Sequence, residues 1–291
     1  MCRLFGMSGG HERVRATFWL LEAPDSLAQQ SRRDPDGTGV GYYEEDGTPV
    51  VAKQPLAAYE DEQFAQEAKE ICSRMFVAHV RYASGSSVTL ENTHPFEQAG
   101  RLFAHNGVIG DVPGLERELG DAMSSVGGQT DSERYFTLIT REIERTGDVG
   151  SGIVAAAQWI AEHLPVFSLN CVLITDAELW ALRYPDVHEL HVLERLAGGP
   201  SGSRHLEHAS ARGSIRVRSG DLATRPAVVI ASEAMDEDAG WRELRSGELV
   251  HVDGDLNVDV TTVIDRAPVH QLTLEELDPN AAASQRAAAR A

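Results

Sequence analysis

Short apolar runs separated by polar turns recur along most of the chain. Thr38–Tyr43, Met75–Arg81, Arg101–His105, Ser168–Thr175, Glu178–Tyr184, Ala227–Ser232 and Glu248–Val252 predict β-strands. Several are mixed apolar runs rather than clean alternations, the pattern of sheets covered on both faces. The period becomes helical in Glu60–Ile71, Asp131–Arg145 and Val149–His163. In the last of these, Ile153, Ala156, Ala157 and Ile160 follow i, i+3, i+4, i+7 spacing and line one face. Asp131 stands where an N-cap is expected, with Glu133 in the first turn.

No long Pro/Gly/Ser linker divides the chain, and it has no internal repeat. Gly198-Gly-Pro-Ser-Gly202 is short and predicts a loop. Asn280–Ala291 is low in complexity and predicts a frayed end. The expectation is one domain with both helices and strands over residues 2–278, followed by a disordered tail over 279–291.

Composition and charge then narrow the function classes. The chain has 291 residues, 42% hydrophobic and 24% charged, which is ordinary globular usage and ample length for a buried core. Its formal charge of −19 repels phosphate backbones and anionic lipids, so nucleic acid and membrane surfaces are excluded as partners. No apolar run approaches the roughly 18–20 residues that cross a bilayer. Cys2, Cys72 and Cys171 form no CxxC pair, and their odd number does not suggest a secreted disulfide framework. His11, Glu12, Arg13 and Arg15 interrupt the N-terminus where a signal peptide needs an apolar core. The expected compartment is the cytoplasm, with all three cysteines as thiols. His188/His191 and His205/His208 lack a cysteine or HExxH context, so they are expected to be surface or loop histidines, not metal ligands.

Candidate chemistry begins at Cys2. Removal of the initiator methionine leaves a thiol and an α-amine on one residue, with reference pKa values of roughly 8.5 and 7.7–8.0. Such a residue is a nucleophile with its own base. Arg81 closes an apolar strand before the Ser84-Gly-Ser-Ser87 loop, a position suited to bidentate capture of a carboxylate. For an isolated arginine, a solvated surface head is the commoner arrangement. Asn106-Gly107 ends a β-run; it is either a tight turn or an oxyanion hole made of a side-chain amide and a backbone N–H. Asp131 is either a helix cap or an anion for a substrate ammonium.

Taken together, Met1-Cys2-Arg3, His79-Val-Arg-Tyr-Ala-Ser84, Asn92-Thr-His-Pro-Phe96, His105-Asn-Gly107 and Thr130-Asp-Ser-Glu133 resemble the class II glutamine amidotransferases, in family order. Val228-Val-Ile-Ala-Ser-Glu233, with Trp241 and Gly247-Glu-Leu249, is similar to the closing region of stand-alone members. The resemblance implies an α+β fold, a four-layer αββα sandwich of two packed, mainly antiparallel sheets, as in N-terminal-nucleophile hydrolases. It implies Cys2 as nucleophile, Asn106 and Gly107 as oxyanion hole, Arg81 on the substrate α-carboxylate and Asp131 on its α-ammonium. Many members follow Arg-Tyr-Ala with Thr-His-Gly; here Ser84-Gly85-Ser86 follows, and Ser84 keeps a hydroxyl for substrate.

Only 160 residues follow Asp131, too few for an attached synthase after the sandwich is complete. The expected activity is hydrolysis of glutamine or another γ-glutamyl amide, either alone or as glutaminase subunit for an ammonia-accepting partner protein. No cofactor and no metal are implied. Another N-terminal-cysteine acyl amide hydrolase and an inactive regulatory subunit are the competing readings. The first makes no use of the Arg81/Asp131 charge pair, and the second conflicts with intact chemistry at every matched position.

Overall fold

A computed structural model describes residues 2–82, 87–197, 207–209, 216–218 and 225–285. The first strands are β1 (Arg3–Ser8), β2 (Gly37–Tyr43), β3 (Pro49–Gln54), β4 (Met75–Arg81), β5 (Phe96–Gln98) and β6 (Arg101–Ile109). Next come β7 (Pro165–Ile174), β8 (Leu179–Leu182), β9 (His191–Arg195) and a hairpin of β10 (Glu207–Ala209) with β11 (Arg216–Arg218). The last are β12 (Ala227–Ala231), β13 (Arg242–Glu243), β14 (Glu248–Val252), β15 (Val258–Thr262) and β16 (His270–Gln271). One sheet runs β13-β9-β12-β1-β4-β2-β3 and the other β15-β14-β8-β7-β6-β5. Both ladders are antiparallel; β16 alone joins β7 in parallel.

Side-chain parity along these strands builds the layers, because successive residues point to opposite faces. On β1, β4 and β12, Leu4, Met75, Val77, Val228 and Ile230 meet Leu102, Ala104, Val172 and Ile174 of β6 and β7 between the sheets. The alternate residues Phe5, Met7, Phe76, Ala78, Val80 and Val229 form a second core on the outer face, with Trp19 and Leu27. Phe103, Ile109, Leu169 and Leu173 turn away from the first sheet onto a helical layer. Three apolar layers between four structural ones make the chain the αββα sandwich that the motifs imply.

The helices are α1 (Leu27–Gln30), α2 (Glu62–Glu70), α3 (Val112–Leu119), α4 (Asp131–Thr146), α5 (Val149–His163) and α6 (Pro279–Gln285). α5 has the predicted bounds, its Asp148 cap accepting from Ser151 N–H, and Ile153, Ala156, Ala157 and Ile160 are at most 1% exposed. Full burial of each isoleucine contributes about 1.5–3 kcal/mol. α4 begins one residue earlier than the cap expected for it: Thr130 is the N-cap, its Oγ1 accepting from Glu133 N–H at 3.2 Å, and Asp131 is the first helical residue. That frees the Asp131 carboxylate for other partners. Gly147, at φ +75°, closes the same helix with its N–H on Ile143 O.

Two further expectations are corrected. α2 is shorter than predicted, Glu62–Glu70 against Glu60–Ile71, and Cys72 lies in the loop after it, half-buried, with its carbonyl held by Arg13. The frayed end expected from residue 279 is helical through Gln285, because Asp278 accepts from Ala281 N–H and Ala281 and Ala282 are buried. The Gly198–Gly202 loop lies outside the described residues.

Gly39 sits where β2 passes the His94–Pro95 segment, and a Cβ there lands on the His94 carbonyl oxygen. Neither partner is a flexible side-chain end, so the strand has no room to yield. Gly39→Ala is expected to lower stability by about 1–3 kcal/mol, read as a lower urea midpoint at unchanged slope. A midpoint equal to the parent's contradicts the packing described.

Candidate active site

The parity that builds the core also assembles the site. Cys2 precedes Arg3, which pairs with Val80, so Cys2 lies beside Arg81 and faces the space between the sheets, as Leu4 and Val77 do. On the opposite sheet Asn106 shares the inward parity of Leu102 and Ala104. Asn106 Nδ2 donates to the Cys2 carbonyl oxygen at 3.0 Å, joining the two sheets at this end. Tyr82 N–H donates to Cys2 Sγ at 3.2 Å, and the thiol donates to Tyr82 O at 3.6 Å. Burial, reinforced by Asp34, pushes the thiol up to about 11 against the pull of Tyr82 N–H and Arg81. At neutral pH the sulfur is protonated and requires a base. Asn106 Oδ1 is buried with no hydrogen-bond partner among the described residues, an acceptor facing the nucleophile's end of the cleft.

Arg81 is 4% exposed, and its guanidinium donates two bonds to Ser87 O at 3.2 and 3.3 Å. Asn92 Nδ2 donates to the same oxygen at 3.1 Å, while Asn92 Oδ1 accepts from Gln129 N–H at 2.7 Å. One buried amide therefore ties the loop after Arg81 to the loop before α4. Asp131 follows immediately: its Oδ2 accepts from Ile109 N–H and its Oδ1 from Ser132 N–H, both at 2.8 Å. A carboxylate has roughly four lone-pair sites, so capacity remains for a cation. Asp131 opens onto a cavity of about 510 Å³ lined also by Val108, Ile109, Gln129 and Ala281. Ser84 lies outside the described residues.

Gly107 pairs with Leu169, whose N–H goes to Tyr184 O on the far side of β7. In an antiparallel ladder that makes Gly107–Leu169 a pair without mutual hydrogen bonds, so Gly107 N–H points away from β7. On that side β5 has already ended, since it pairs only with residues 101–103. A Cβ here meets the Ser168 carbonyl, so β7, not an approaching substrate, demands its absence. His105 fixes the neighbourhood, Nε2 donating to Ser168 O at 3.0 Å and Nδ1 accepting from Ser132 Oγ at 2.9 Å.

Arg3, Asp34, Asn92 and Glu233 surround this end of the cleft and had no role assigned from sequence. Arg3 Nε donates to Glu233 Oε1 at 2.6 Å and its Nη1 to Cys2 O at 3.3 Å, and Asp34 is fully buried 3.9 Å away. The available signal was a charged residue opening the otherwise apolar run Leu4–Met7. Three buried histidines also lie near the site. His79 stacks on His94 at 4.2 Å, and burial, then Arg81, lowers His79 to about 3. His188 lies in a loop, one of the two expected arrangements, but is buried and bonded to Gln285 Oε1 at 2.6 Å, and burial lowers it to about 4. Cys171 is buried beside Tyr135, its thiol raised by burial to about 12.

Known proteins match this chain over most of its length. The family model of class-II glutamine amidotransferases matches residues 1–275. The γ-glutamyl-hercynylcysteine sulfoxide hydrolase of Mycobacterium tuberculosis is 27% identical over 87% of this chain and 93% of its own. Among solved structures, the glutamine phosphoribosylpyrophosphate amidotransferase of B. subtilis superposes with TM-score 0.62 at 20% identity, covering 91% of this chain but only half of that enzyme. A glutamine aminotransferase class-II domain protein of Silicibacter pomeroyi gives 0.58 at 17% identity, covering 90% and 99% of the two chains.

The histidines give a pH dependence with a definite sign. Unfolded histidine titrates near 6.5, whereas folded His188 does so at about 4 and His79 at about 3. Between these values the unfolded chain binds more protons, so stability is full above about 6.5 and falls with decreasing pH. Each group adds at most about 1.4 kcal/mol per pH unit. Urea melts from pH 7 to 4.5 are expected to show a smaller acid loss for His188→Gln than for the parent; equal slopes contradict a neutral buried His188.

Proposed function

Because this chain belongs to the class II glutamine amidotransferases, we propose that it hydrolyses a γ-glutamyl amide through a Cys2 thioester. Met1 is removed, and the freed amine of Cys2 takes the thiol proton. Sulfur attacks the γ-carbonyl carbon, and the oxyanion receives the second N–H of Asn106 Nδ2 and the N–H of Gly107. The protonated amine then gives its proton to the departing nitrogen as the C–N bond breaks. Water hydrolyses the thioester, releasing glutamate and restoring the thiol. For the head group, Arg81 exchanges Ser87 O for the α-carboxylate, and Asp131 accepts the α-ammonium. Ser84 supplies a further hydroxyl to the substrate.

The observation that carries this reading is the bond from Asn106 to the Cys2 carbonyl, with Asn106 Oδ1 left unsatisfied. A buried acceptor without a donor calls for one, and the α-amine exposed by Met1 removal supplies it. The same amide then holds nucleophile, base and oxyanion in one frame. The leaving group is ammonia when the substrate is glutamine. The mycobacterial relative's name describes a γ-glutamyl conjugate, so larger γ-glutamyl amides belong to the same test. A protein partner that accepts ammonia is part of this proposal only for glutamine as substrate.

Intact-mass analysis is expected to show Met1 absent from active protein; full activity with Met1 retained refutes the self-contained base. Cys2→Ala is expected to abolish glutamate release from L-glutamine and γ-glutamyl-p-nitroanilide, and Asn106→Ala to lower kcat by about 10²–10³. A glutamine-like diazoketone is expected to label Cys2, and not Cys72 or Cys171, in step with inactivation.

Arg81→Lys keeps the charge but loses the planar fork, and Asp131→Asn loses the anion. Both are expected to raise KM chiefly, by about tenfold or more, the loss of one charge-assisted interaction. Parental KM values in both variants refute the head-group assignment.

A further inference from the structure

The scheme above uses the inner face of β1 and leaves its other face unexplained. Arg3 shares the outward parity of Phe5 and Met7, yet it is a charged residue only 4% exposed. An arginine so buried requires paired anions. Glu233 provides one at 2.6 Å and Asp34 another at 3.9 Å, and Arg33 Nη2 closes on the same Glu233 oxygen at 3.0 Å. Burial works to raise the Glu233 carboxyl, but Arg3 and Arg33 outweigh it and hold it lowered, so it stays an anion.

The backbone clips this pair in register. Ser232, just before Glu233, donates its N–H to Leu4 O at 3.1 Å, and its hydroxyl accepts from Leu4 N–H at 2.9 Å. Residues 232 and 4 are thus locked together immediately beside the Glu233–Arg3 contact. The remaining guanidinium reach is spent on the Cys2 carbonyl, at 3.3 Å from Nη1. That oxygen therefore accepts from Asn106 on the opposite sheet and from Arg3 on its own.

The geometry points to Arg3, locked by Glu233, as a positioning residue for the N-terminal nucleophile and a fixed cation beside its amine. The inference rests on the Cys2 thioester reading. Once Met1 is gone, Cys2 is joined covalently to the fold only through its carbonyl carbon. Rotation about its Cα–C bond then swings amine and sulfur together, and two hydrogen bonds on the carbonyl fix the plane for that rotation. Misplacement of about 1 Å at such a centre costs about 10²-fold in rate. Standard backbone dimensions also place the Arg3 charge on the order of 6 Å from the amine.

A cation at that range favours the neutral amine, the form that acts as base. Other charges surround this contact: Asp34 as an anion and Arg81 from β4 as a cation act on Cys2, Asp36 acts on Arg81, and Glu233 and Asp25 bind Arg33. His188 is neutral above about 4 and adds nothing at working pH. Arg3 differs from all of these in being hydrogen-bonded to Cys2 itself through a side-chain cation.

The test measures kcat, KM and the pH profile of kcat/KM for glutamate release from γ-glutamyl-p-nitroanilide. Rates are expressed per Cys2 labelled by the diazoketone, which removes misfolded protein from the comparison. Arg3→Lys is expected to lower kcat by about 10–100-fold with KM within about threefold and the acid limb unmoved, because the charge stays and the fork is lost. Arg3→Met is expected to show a similar kcat loss with its acid limb displaced upward by about half a pH unit or more. Glu233→Gln, which leaves the cation less neutralised, is expected to lower kcat with its acid limb unmoved or displaced downward. Parental kcat in both Arg3 variants, an acid limb in Arg3→Met that stays or falls, or one in Glu233→Gln that rises overturns the assignment. Cys2→Ala separates the two levels: turnover surviving there refutes the nucleophile, whereas turnover lost there beside unaltered Arg3 variants refutes only the positioning role.

Discussion

The hydrogen bond from Asn106 to the Cys2 carbonyl is the constraint on which the rest of the site depends. Two packed sheets normally meet through apolar side chains alone, about 10 Å apart. Here the core between them is mostly Leu, Val, Ile and Ala, with Met75 and Tyr43, and at one end it gives way to Cys2, Arg81 and Asn106. Buried polar groups at such an end cost free energy unless each finds a partner. Asn106 and the Cys2 carbonyl find each other across the gap, and this bond ties the two sheets together at that end. Shifting β1 by one residue against β4 exchanges the faces, sending Cys2 outward and Arg3 into the cleft. The ladder from Arg3–Val80 to Ser8–Met75 resists that slip because every residue of β1 is buried on one face or the other.

What the sequence disclosed follows from the range of the interactions involved. α5 was legible to the residue because its apolar face and its Asp148 cap are local. The motifs around Cys2, Arg81, Asn106 and Asp131 were legible because each is contiguous in the sequence. Asp131 was misplaced by one residue, since Thr130 and Asp131 are both good caps and only the tertiary bond to Ile109 N–H chooses between them. The Arg3–Glu233 pair spans 230 residues, and Asn92 reaches 37 residues to Gln129. Neither separation leaves a trace in the local pattern. α6 looked featureless for a related reason: alanines at 281 and 282 carry no period, yet the fold buries both.

The interior around Cys2 mixes both signs of charge. The chain is acidic overall, at −19, but the groups pressed against the nucleophile include the cations Arg3 and Arg81. The long-range field of an acidic protein disfavours an anionic thiolate and an anionic substrate alike, and salt screens it beyond about 10 Å. Inside the cleft charges act at short range and low screening, and on the Cys2 thiol burial and Asp34 outweigh Arg81.

In the proposed mechanism the freed α-amine of Cys2 answers a difficulty that burial creates. A dry site strengthens the bonds to an oxyanion, but the same dryness raises the Cys2 thiol to about 11 and leaves almost none of it ionised at neutral pH. A separate histidine base is not what this fold supplies: His79 and His94 are buried and held neutral by burial, and His105 is committed through both ring nitrogens. A base carried on the nucleophile's own residue avoids the problem, because it needs no further buried side chain and its distance to sulfur is set by covalent geometry. The cost passes to orientation, since a chain end is mobile unless held. The carbonyl of Cys2, with a donor from each sheet, is the point at which this fold provides that hold.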